Sequence, residues 1–485
     1  MKFYTNVAIQ GSTVLVREVI DGIPNNRKVQ WKPTLYGKGQ QKGIQSPFKT
    51  LYGDDAYPIQ PGSIVDCREF VKKYDGVDGF PIFGQLNYSL QFMNEYGSTA
   101  WDYSYLSSWS VDIETEVVED ADGNTEFPDP GTAKAKVLLI TLVNMITEQA
   151  FTFGVNGYTG KAKTSYMDCS SEKELLKQFI NFWEQKRVDI ITGWNVAQFD
   201  LPYLINRITS ILGEDAIKRL SPWGRVSCRE REFKGKREFA VEILGVSVLD
   251  YIDLYKKYIL TKQESYSLQH IAMVELGHTK LDHSQFKSWN EFHRTDWNLF
   301  TDYNCVDALL IKQLDDKLRL IELVLTVAYK ANVNYEDVSS PVKVWDAIIT
   351  NDCIKNNVVL PQQDRERAQF LDGAYVKEPV PGWYKNVVSL DATSLYPSII
   401  MTNNISPETW VGNCGATIDD FLAGNSIDTG GNIVTPIGAV YRRDVRGVLP
   451  RLVEEYMAMR KKAKTEMLRL EQELEEIHQE LASIE

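Results

Sequence analysis

The spacing of hydrophobic positions changes several times along the 485-residue chain. Residues 1–105 hold short runs of β-branched and aromatic residues between turn clusters such as DGIPNN, a pattern that predicts hairpins in a small mixed domain. From about Trp109, the strand-like stretches SWSVDIET, KAKVLLITLVNM and AFTFGV are followed by helical and strand-like stretches in alternation. This order predicts an α/β layer fold built on a mixed sheet.

Three further features follow this layer fold. The stretch at 229–245 places Lys-Gly-Lys between two strand-like runs and predicts a β-hairpin. Long helical patterns occupy about 297–329 and 341–354. A strand-rich segment is expected from about residue 374, and within it SLDATSLYPSII predicts a buried strand that ends at Asp391 and turns at once into a corner.

The last part of the chain combines positive charge with a helical seam. The stretch 442–464 is rich in lysine and arginine, and apolar residues then recur in alternating steps of three and four. The seam consists of Met467, Leu470, Leu474, Ile477, Leu481 and Ile484. A helix with such a seam needs a partner helix.

Composition narrows the class of protein. With 43% hydrophobic and 25% charged residues, no signal stretch and no apolar run long enough for a bilayer, the sequence predicts a cytosolic globular protein without a membrane partner. Six scattered cysteines and five histidines form neither a disulfide framework nor a zinc spacing. The net charge of −13 argues against a protein that coats nucleic acid indiscriminately, although a local basic track is compatible with it.

Acidic residues at three places are candidates for chemistry. Asp112 and Glu114 are two apart on a predicted strand, so both side chains project from one face. Asp200 precedes a helical stretch, and Tyr303 and Asp307 are one turn apart on a predicted helix. Taken singly, these residues also fit a solvated strand edge, a helix N-cap and a chance pair.

The order of these acidic residues and Tyr303 within one α/β domain favours a common site. Four carboxylates suit two divalent, oxygen-seeking cations, Mg²⁺ or Mn²⁺, of the kind that serve two-metal phosphoryl transfer. The arrangement resembles the proofreading exonucleases of the DEDD superfamily, which have an RNase H-like fold. The resemblance implies that Asp112, Glu114, Asp200 and Asp307 are metal ligands and that Tyr303 is catalytic.

The corner at Asp391 resembles motif A of family B DNA polymerases. The resemblance implies that Asp391 is a catalytic metal ligand. It also implies that Ser394 and Leu395 offer backbone amides to the triphosphate of a dNTP, and that Tyr396 is the steric gate against ribose. Amides at a strand-to-helix turn suit an anion because their hydrogens point outward. A buried strand with a capped turn is the alternative without this family.

Other stretches resemble the replicative polymerases of T-even-type phages. They are FPDP, TGWN with FDLPY, LDYIDLYKK, VKVWDAII, LPQQ, GAYVKEP and SPET, in the expected order. In that family the MRKKAK helix belongs to the fingers, so Arg460 and Lys464 match the pair that grips the triphosphate. The hairpin at 229–245 matches the one that helps the primer strand part from its template. A solvated charged face is the alternative for the lysine-rich helix.

The resemblance implies a multidomain organisation. We expect an N-terminal domain at 1–106 that is completed by about 320–362, and a 3′→5′ exonuclease domain at 107–319. A partial palm is expected at 363–447 and a first, incomplete fingers helix at 448–485. The fold class is therefore a mixed α/β multidomain protein.

The expected activity is DNA-directed DNA polymerisation in replication, with 3′→5′ proofreading. No stretch matches the family's motifs B and C, so polymerisation is expected to need a C-terminal half, from a split gene or beyond a truncated record. Expected partners are primer-template and single-stranded DNA, dNTPs, that second chain, and a sliding clamp only through the missing part. The cytoplasm of a bacterial host is the expected location. A free-standing DEDD exonuclease and a non-catalytic DNA-binding scaffold are the alternatives.

Overall fold

The computed structural model describes residues 1–40, 46–98, 100–119, 125–233, 235–278, 280–362, 376–425 and 429–484. The strands, in chain order, are β1 (Lys2–Gln10), β2 (Thr13–Ile20), β3 (Ile23–Gln30), β4 (Leu35–Lys38), β5 (Lys49–Thr50), β6 (Ala56–Ile59), β7 (Ile82–Phe83), β8 (Ser108–Thr115), β9 (Val118–Glu119), β10 (Thr125–Glu126), β11 (Val137–Asn144), β12 (Ala150–Gly154), β13 (Thr164–Asp168), β14 (Ile190–Gly193), β15 (Val226–Phe233), β16 (Lys236–Ile243), β17 (Ser247–Asp250), β18 (Val358–Val359), β19 (Trp410–Asn413), β20 (Ile433–Val434) and β21 (Ala439–Tyr441).

The helices, in chain order, are α1 (Ile64–Tyr74), α2 (Tyr88–Tyr96), α3 (Glu172–Lys186), α4 (Asp200–Leu212), α5 (Glu214–Lys218), α6 (Tyr251–Tyr258), α7 (Leu268–Leu276), α8 (Trp289–Thr295), α9 (Trp297–Leu318), α10 (Leu320–Ala331), α11 (Pro341–Lys355), α12 (Leu395–Thr402), α13 (Ile418–Leu422) and α14 (Val448–Ile484). Short 3-10 turns lie at Tyr103–Tyr105, Tyr335–Ser339 and Pro407–Thr409. Among these described helices, none is both long and apolar enough to cross a membrane.

The chain divides into two compact units. The first comprises Met1–Thr34, Gln60–Lys73 and Leu86–Ile348, and the second comprises Leu35–Ile59, Tyr74–Gln85 and Ile349–Glu485. The mixture of helices and strands in a multidomain chain confirms the predicted fold class. The predicted domain boundaries stay predictions.

A mixed six-stranded sheet forms the centre of the first unit. Its strand order is β13-β12-β11-β8-β14-β17. β11 is antiparallel to both β8 and β12, whereas β14 is parallel to β8 and β17, and β13 is parallel to β12. The sequence pattern predicted the strands at β8, β11, β12 and β14 but did not identify β13.

The two faces of this sheet differ in polarity because side chains alternate along each strand. On β8, Trp109, Val111 and Ile113 belong to a hydrophobic core shared with α3 and α4. The alternate β8 residues face α9, since the Ser110 hydroxyl donates a 2.9 Å hydrogen bond to the carbonyl of Ala308. The sheet therefore buries an apolar face on one side and presents its carboxylates to α9.

The N-terminal strands are attached to the rest of the first unit by buried polar contacts. The Arg17 guanidinium lies 2.9 Å from the Asp189 carboxylate, and only 3% and 6% of the two side chains is exposed. Arg17 also donates to the carbonyls of Val188 and Gly245. On β1, the backbone of Val7 exchanges two 2.9 Å hydrogen bonds with the side-chain amide of Asn334.

The described residues of the second unit form small sheets, the helices α12, α13 and α14, and the end of α11. The sheets have the orders β6-β4-β7, β18-β5 and β19-β21-β20. α12 packs against α14, and the Asn404 amide beside it donates to the carbonyls of Arg442 and Val445. From 458 to 481 every residue of α14 is exposed.

Two local predictions were wrong. The helical pattern at 297–329 is broken into α9 and α10 at Arg319, whose φ of 51° lies in the left-handed region. The buried strand expected to end at Asp391 is not a strand, and its Val388 and Leu390 are 80% and 91% exposed. In the part of the chain that the structure describes, no strand pairs with this segment, and an unpaired strand leaves its backbone hydrogen bonds unmade.

Candidate active site

The central strand of the first unit supplies two carboxylates. Asp112 and Glu114 lie on the α9-facing side of β8, with the apolar Ile113 between them pointing into the opposite core. Alternation along the strand therefore explains how two acids share one face in an otherwise buried strand. Glu114 is only 9% exposed.

A turn between β14 and α4 brings a third carboxylate to the same strand. Asp200 is the first residue of α4, and its Oδ1 accepts a 3.1 Å hydrogen bond from the backbone N–H of Ile113. Asn195 in this turn has a φ of 66°, which is left-handed. The buried Asp250 carboxylate accepts 2.9 Å hydrogen bonds from the N–H groups of Asn195 and Ala197 and so holds the turn in place.

Helix α9 supplies the remaining predicted residues. One carboxylate oxygen from each of Asp112, Glu114 and Asp307 lies within 4.8 Å of the others. The Lys280 ammonium donates to the Asp307 carboxylate and to the Tyr303 hydroxyl, the latter at 3.2 Å. Elements far apart in sequence thus bring Asp112, Glu114 and Asp307 together, and Asp200 reaches the same strand.

Burial dominates the electrostatics of this cluster. It raises the pKa of Asp112 and of Glu114, and the nearby Asp307 charge raises both further. Burial raises the pKa of Asp200 to about 7 although the Ile113 N–H opposes the shift. The pKa of Asp307 is also raised by burial, against the opposing charge of Lys280. Burial lowers the pKa of Lys280, but the facing carboxylates, Asp307 foremost, leave it above the ordinary value.

The donor set fits divalent cations. Carboxylate oxygens are the ligands that Mg²⁺ and Mn²⁺ prefer. Asp307 Oδ1 is buried and has no hydrogen-bond partner among the described residues. A buried oxygen without a partner is costly unless a cation or water satisfies it. One lysine does not neutralise four carboxylates, so bound cations can offset the remaining negative charge of the cluster.

Three residues near the cluster were missed by sequence reasoning. Lys280 comes from a stretch between α7 and α8 that has no periodic pattern and no recognisable spacing to Asp307. Asn304 directly follows Tyr303, and its amide donates a 2.6 Å hydrogen bond to Asp112. Asp250 lies within the quoted LDYIDLYKK stretch, so its position was visible although its contact with the Asn195 turn was not.

The predicted hairpin is present as β15 and β16 and is tied to the site. The Gln198 side chain donates to the carbonyl of Phe239 at 3.2 Å and accepts from its N–H at 2.8 Å. Arg237, expected near the tip, donates to Asp129 and to Glu230, each at 2.7 Å. In the predicted Lys-Gly-Lys tip, Lys234 lies outside the described residues.

An exposed aromatic side chain lies beside the turn between β14 and α4. Phe127 is 77% exposed, and its ring centroid lies 5.5 Å from that of Phe199, the residue before Asp200. Such an exposed ring, in contact with the residue that precedes Asp200, offers a surface on which another planar ring can stack.

The residues of the predicted polymerase corner lie in the second unit. Asp391 is exposed in an irregular segment, and α12 begins at Leu395 directly after Ser394. Ser394 has a φ of 51°, so the chain turns sharply into the helix and leaves its amides at a helix N-terminus. Tyr396 is 74% exposed on this helix.

The basic pair lies on α14. Arg460 and Lys464 are exposed and one helical turn apart on the same face. Further along α14, Met467, Leu470, Leu474, Ile477 and Leu481 are each about half exposed, at 48% to 56%. The side chain of Ile484 lies outside the described residues.

Comparisons with known proteins give the family of this chain. Residues 86–271 match the model of the DNA polymerase family B exonuclease domain, and residues 341–481 match the model of DNA polymerase family B. The DNA-directed DNA polymerase of Escherichia phage RB69 is 33% identical, and the alignment covers 96% of this chain and 54% of the relative. That of Enterobacteria phage T4 is 31% identical, with 98% and 55% covered. The chain belongs to the family B DNA polymerases.

A more distant relative is similar to part of this chain. The DNA polymerase delta catalytic subunit of Caenorhabditis elegans is 26% identical, over 63% of this chain and 28% of the relative. The chain spans about half the length of the phage relatives that it matches.

Proposed function

We propose that this chain is the part of a phage-type replicative DNA polymerase that carries a 3′→5′ proofreading exonuclease. The observation that carries the proposal is the convergence of Asp112, Glu114 and Asp307, with ligand oxygens within 4.8 Å of one another. Asp200 reaches the same strand through Ile113. Structural carboxylates rarely gather in a buried site with a single lysine beside them, because like charges raise each other's pKa.

In this proposal Asp112, Glu114, Asp200 and Asp307 hold two divalent ions, Mg²⁺ or Mn²⁺. When bound there, the ions supply charge that favours ionisation of a water and stabilises the leaving oxygen. The Tyr303 hydroxyl orients the attacking water, and Lys280 offsets part of the negative charge. Phe127 stacks against a base of the single strand near its 3′ end.

The experiment is digestion of 3′-labelled single-stranded DNA by the purified chain with Mg²⁺ or Mn²⁺. We expect release of nucleotides from the 3′ end, loss of activity in EDTA, and loss of activity in Asp112→Ala with Glu114→Ala. The matched control is Asp168→Ala, which removes an exposed carboxylate from β13 of the same sheet. Wild-type activity in the double variant would show that the site is assigned wrongly.

We also propose that the second unit supplies part of the polymerase site. Asp391 acts as a metal ligand, the amides of Ser394 and Leu395 bind the triphosphate of a dNTP, and Tyr396 excludes ribose. Arg460 and Lys464 grip the same triphosphate. The position of Ser394 at a helix N-terminus and the exposure of the basic pair support these roles.

Polymerisation in this proposal needs a second part, C-terminal to the matched region, because the chain spans about half the length of the phage relatives. The half-exposed apolar residues of α14 support a partner there, since burying each such side chain is worth roughly 1.5–3 kcal/mol. The proposed substrates are primer-template DNA and dNTPs, any sliding clamp binds through that second part, and the location is the cytoplasm of a phage-infected bacterium. The test is primer extension after the corresponding C-terminal part of a related phage polymerase is added. Extension that persists in Asp391→Ala would contradict the assigned metal ligand.

A further inference from the structure

A buried polar side chain donates a hydrogen bond to one of the proposed metal ligands. Asn304 on α9 is fully buried, and its Nδ2 donates a 2.6 Å hydrogen bond to Asp112 Oδ2. Its Oδ1 accepts a hydrogen bond from the hydroxyl of Thr141 on β11. Asn304 therefore bridges the carboxylate on β8 and a hydroxyl on the next strand.

The contact continues across the sheet. Thr141 Oγ1 lies 2.9 Å from Thr152 Oγ1 on β12, which lies 2.9 Å from Thr164 Oγ1 on β13. Thr141 and Thr152 are fully buried, and Thr164 is partly exposed at the sheet edge. Four strands and one helix thus contribute to a chain of hydrogen bonds that ends at Asp112.

The charge of Asp112 fixes the direction of this chain. When Asp112 binds a cation it is ionised and only accepts hydrogen bonds, so the Asn304 amide then turns its NH₂ towards Asp112 and its oxygen towards Thr141, the orientation that the structure has. A hydroxyl has one hydrogen, and Thr141 gives it to Asn304. Thr152 therefore donates to Thr141, and Thr164 donates to Thr152. The nearby thiol of Cys305, 3.3 Å from Thr152 Oγ1, is a weak partner by comparison.

We propose that Asn304 and Thr141 are positioning residues that hold the Asp112 carboxylate in the orientation needed to bind a divalent ion. This inference rests on the proposed exonuclease site. A carboxylate with one oxygen held by a buried donor presents its other oxygen in a fixed direction. Residues that orient a metal ligand in this way typically contribute 10–100-fold to metal affinity or activity.

A second threonine of the same sheet provides the control. Thr192 on β14 is also fully buried, and its hydroxyl has no hydrogen-bond partner among the described residues. Valine has nearly the shape of threonine. Thr192→Val and Thr141→Val therefore make the same isosteric change in neighbouring parts of one sheet, and only Thr141→Val breaks the chain that leads to Asp112.

The experiment measures Mn²⁺ binding to the full chain by electron paramagnetic resonance, and the rate of single-strand digestion at saturating Mn²⁺. We expect about tenfold weaker Mn²⁺ binding or slower digestion in Asn304→Leu and in Thr141→Val. Thr192→Val should match the wild type, and Thr141→Ser should restore the wild-type values because it keeps the hydroxyl. The KM for DNA should not change, since none of these side chains is proposed to touch DNA.

Non-additivity gives a further readout. If Thr141 acts through Asn304, the double variant Asn304→Leu with Thr141→Val should lose little more than Asn304→Leu alone. Wild-type Mn²⁺ affinity and rate in Thr141→Val, or equal losses in Thr141→Val, Thr141→Ser and Thr192→Val, would overturn the inference. A wild-type chain that binds Mn²⁺ at Asp112 but does not digest DNA would instead overturn the proposed exonuclease.

Discussion

Replacing Asp200 by asparagine should stabilise the metal-free protein at alkaline pH. The folded state raises the pKa of Asp200 from its ordinary value of 3.8 to about 7 through burial. Between these two pH values the unfolded chain carries the charge and the folded chain carries the proton. Stability is therefore lost as pH rises towards 7, and asparagine avoids this loss because it stays neutral.

The size of the effect follows from the shift. One pKa unit corresponds to about 1.36 kcal/mol, so the full shift corresponds to roughly 4 kcal/mol above pH 7 and to about 1–2 kcal/mol at pH 5. The hydrogen bond from the Ile113 N–H to Oδ1 can persist, since asparagine keeps a carbonyl oxygen there. We expect a Tm rise of several degrees for Asp200→Asn in EDTA at pH 8.5 and a smaller rise at pH 5.

Added Mn²⁺ should reverse the order of the two Tm values, so that the wild type melts at a higher temperature than Asp200→Asn. A ligand that binds only the folded state stabilises it more the more tightly it binds, and Asp200→Asn removes one proposed ligand charge. The wild type should therefore gain more in Tm from Mn²⁺ than the variant does. Thermal melts followed by circular dichroism, in EDTA and in Mn²⁺, measure both effects.

Two comparison variants make the reasoning refutable. Burial also raises the pKa of Asp250 to about 7, but both of its oxygens accept backbone N–H groups. Asp250→Asn would turn an NH₂ group against one of these donors and should lower the Tm at both pH values. Asp168→Asn, on an exposed carboxylate, should change little. A Tm of Asp200→Asn below that of the wild type in EDTA at pH 8.5 would refute the argument.

Three further outcomes are expected. Tyr303→Phe should slow digestion of single-stranded DNA less than Asp112→Ala with Glu114→Ala, because the hydroxyl is expected to orient water rather than bind metal; equal losses in rate assays would contradict that role. Gln198→Ala should weaken digestion of paired primer ends more than of single strands, because it releases the hairpin from the Asp200 turn; a uniform loss on both substrates would point to a purely structural tie. In the reconstituted polymerase, Tyr396→Ala should increase ribonucleotide incorporation, and unchanged sugar selectivity in primer extension would count against the steric gate.

The parts of the fold that follow a regular period were predictable. The alternation in SWSVDIET places Asp112 and Glu114 on one face of β8 and Ile113 on the other, and the structure has this arrangement. Lys280 could not be predicted, since it reaches Asp307 from a stretch without periodicity. The break at Arg319 was hidden because a left-handed residue leaves no mark in hydrophobic spacing.

The strand expected before Asp391 shows a different limit of sequence patterns. Consecutive apolar residues indicate burial, but they do not supply the neighbouring strand that burial requires. In the described structure Val388 and Leu390 are exposed, whereas the equally apolar β11 is buried between β8 and β12. The prediction of a buried strand thus depended on partners that a local pattern does not contain.

The proposed exonuclease centre and the proposed polymerase centre at Asp391 differ in how far their surroundings favour binding of a cation. At the proposed exonuclease centre, burial and mutual repulsion raise the pKa values of Asp112 and Glu114, and Asn304 and the Ile113 N–H hold Asp112 and Asp200 in place. A cation entering there relieves repulsion that the fold already maintains. Asp391 is exposed and stays in contact with water, so a cation gains less by binding it. No residue of α12 is fully buried and the basic pair on α14 is exposed, so we expect the proposed polymerase centre to be completed by further protein or by substrate that covers these residues.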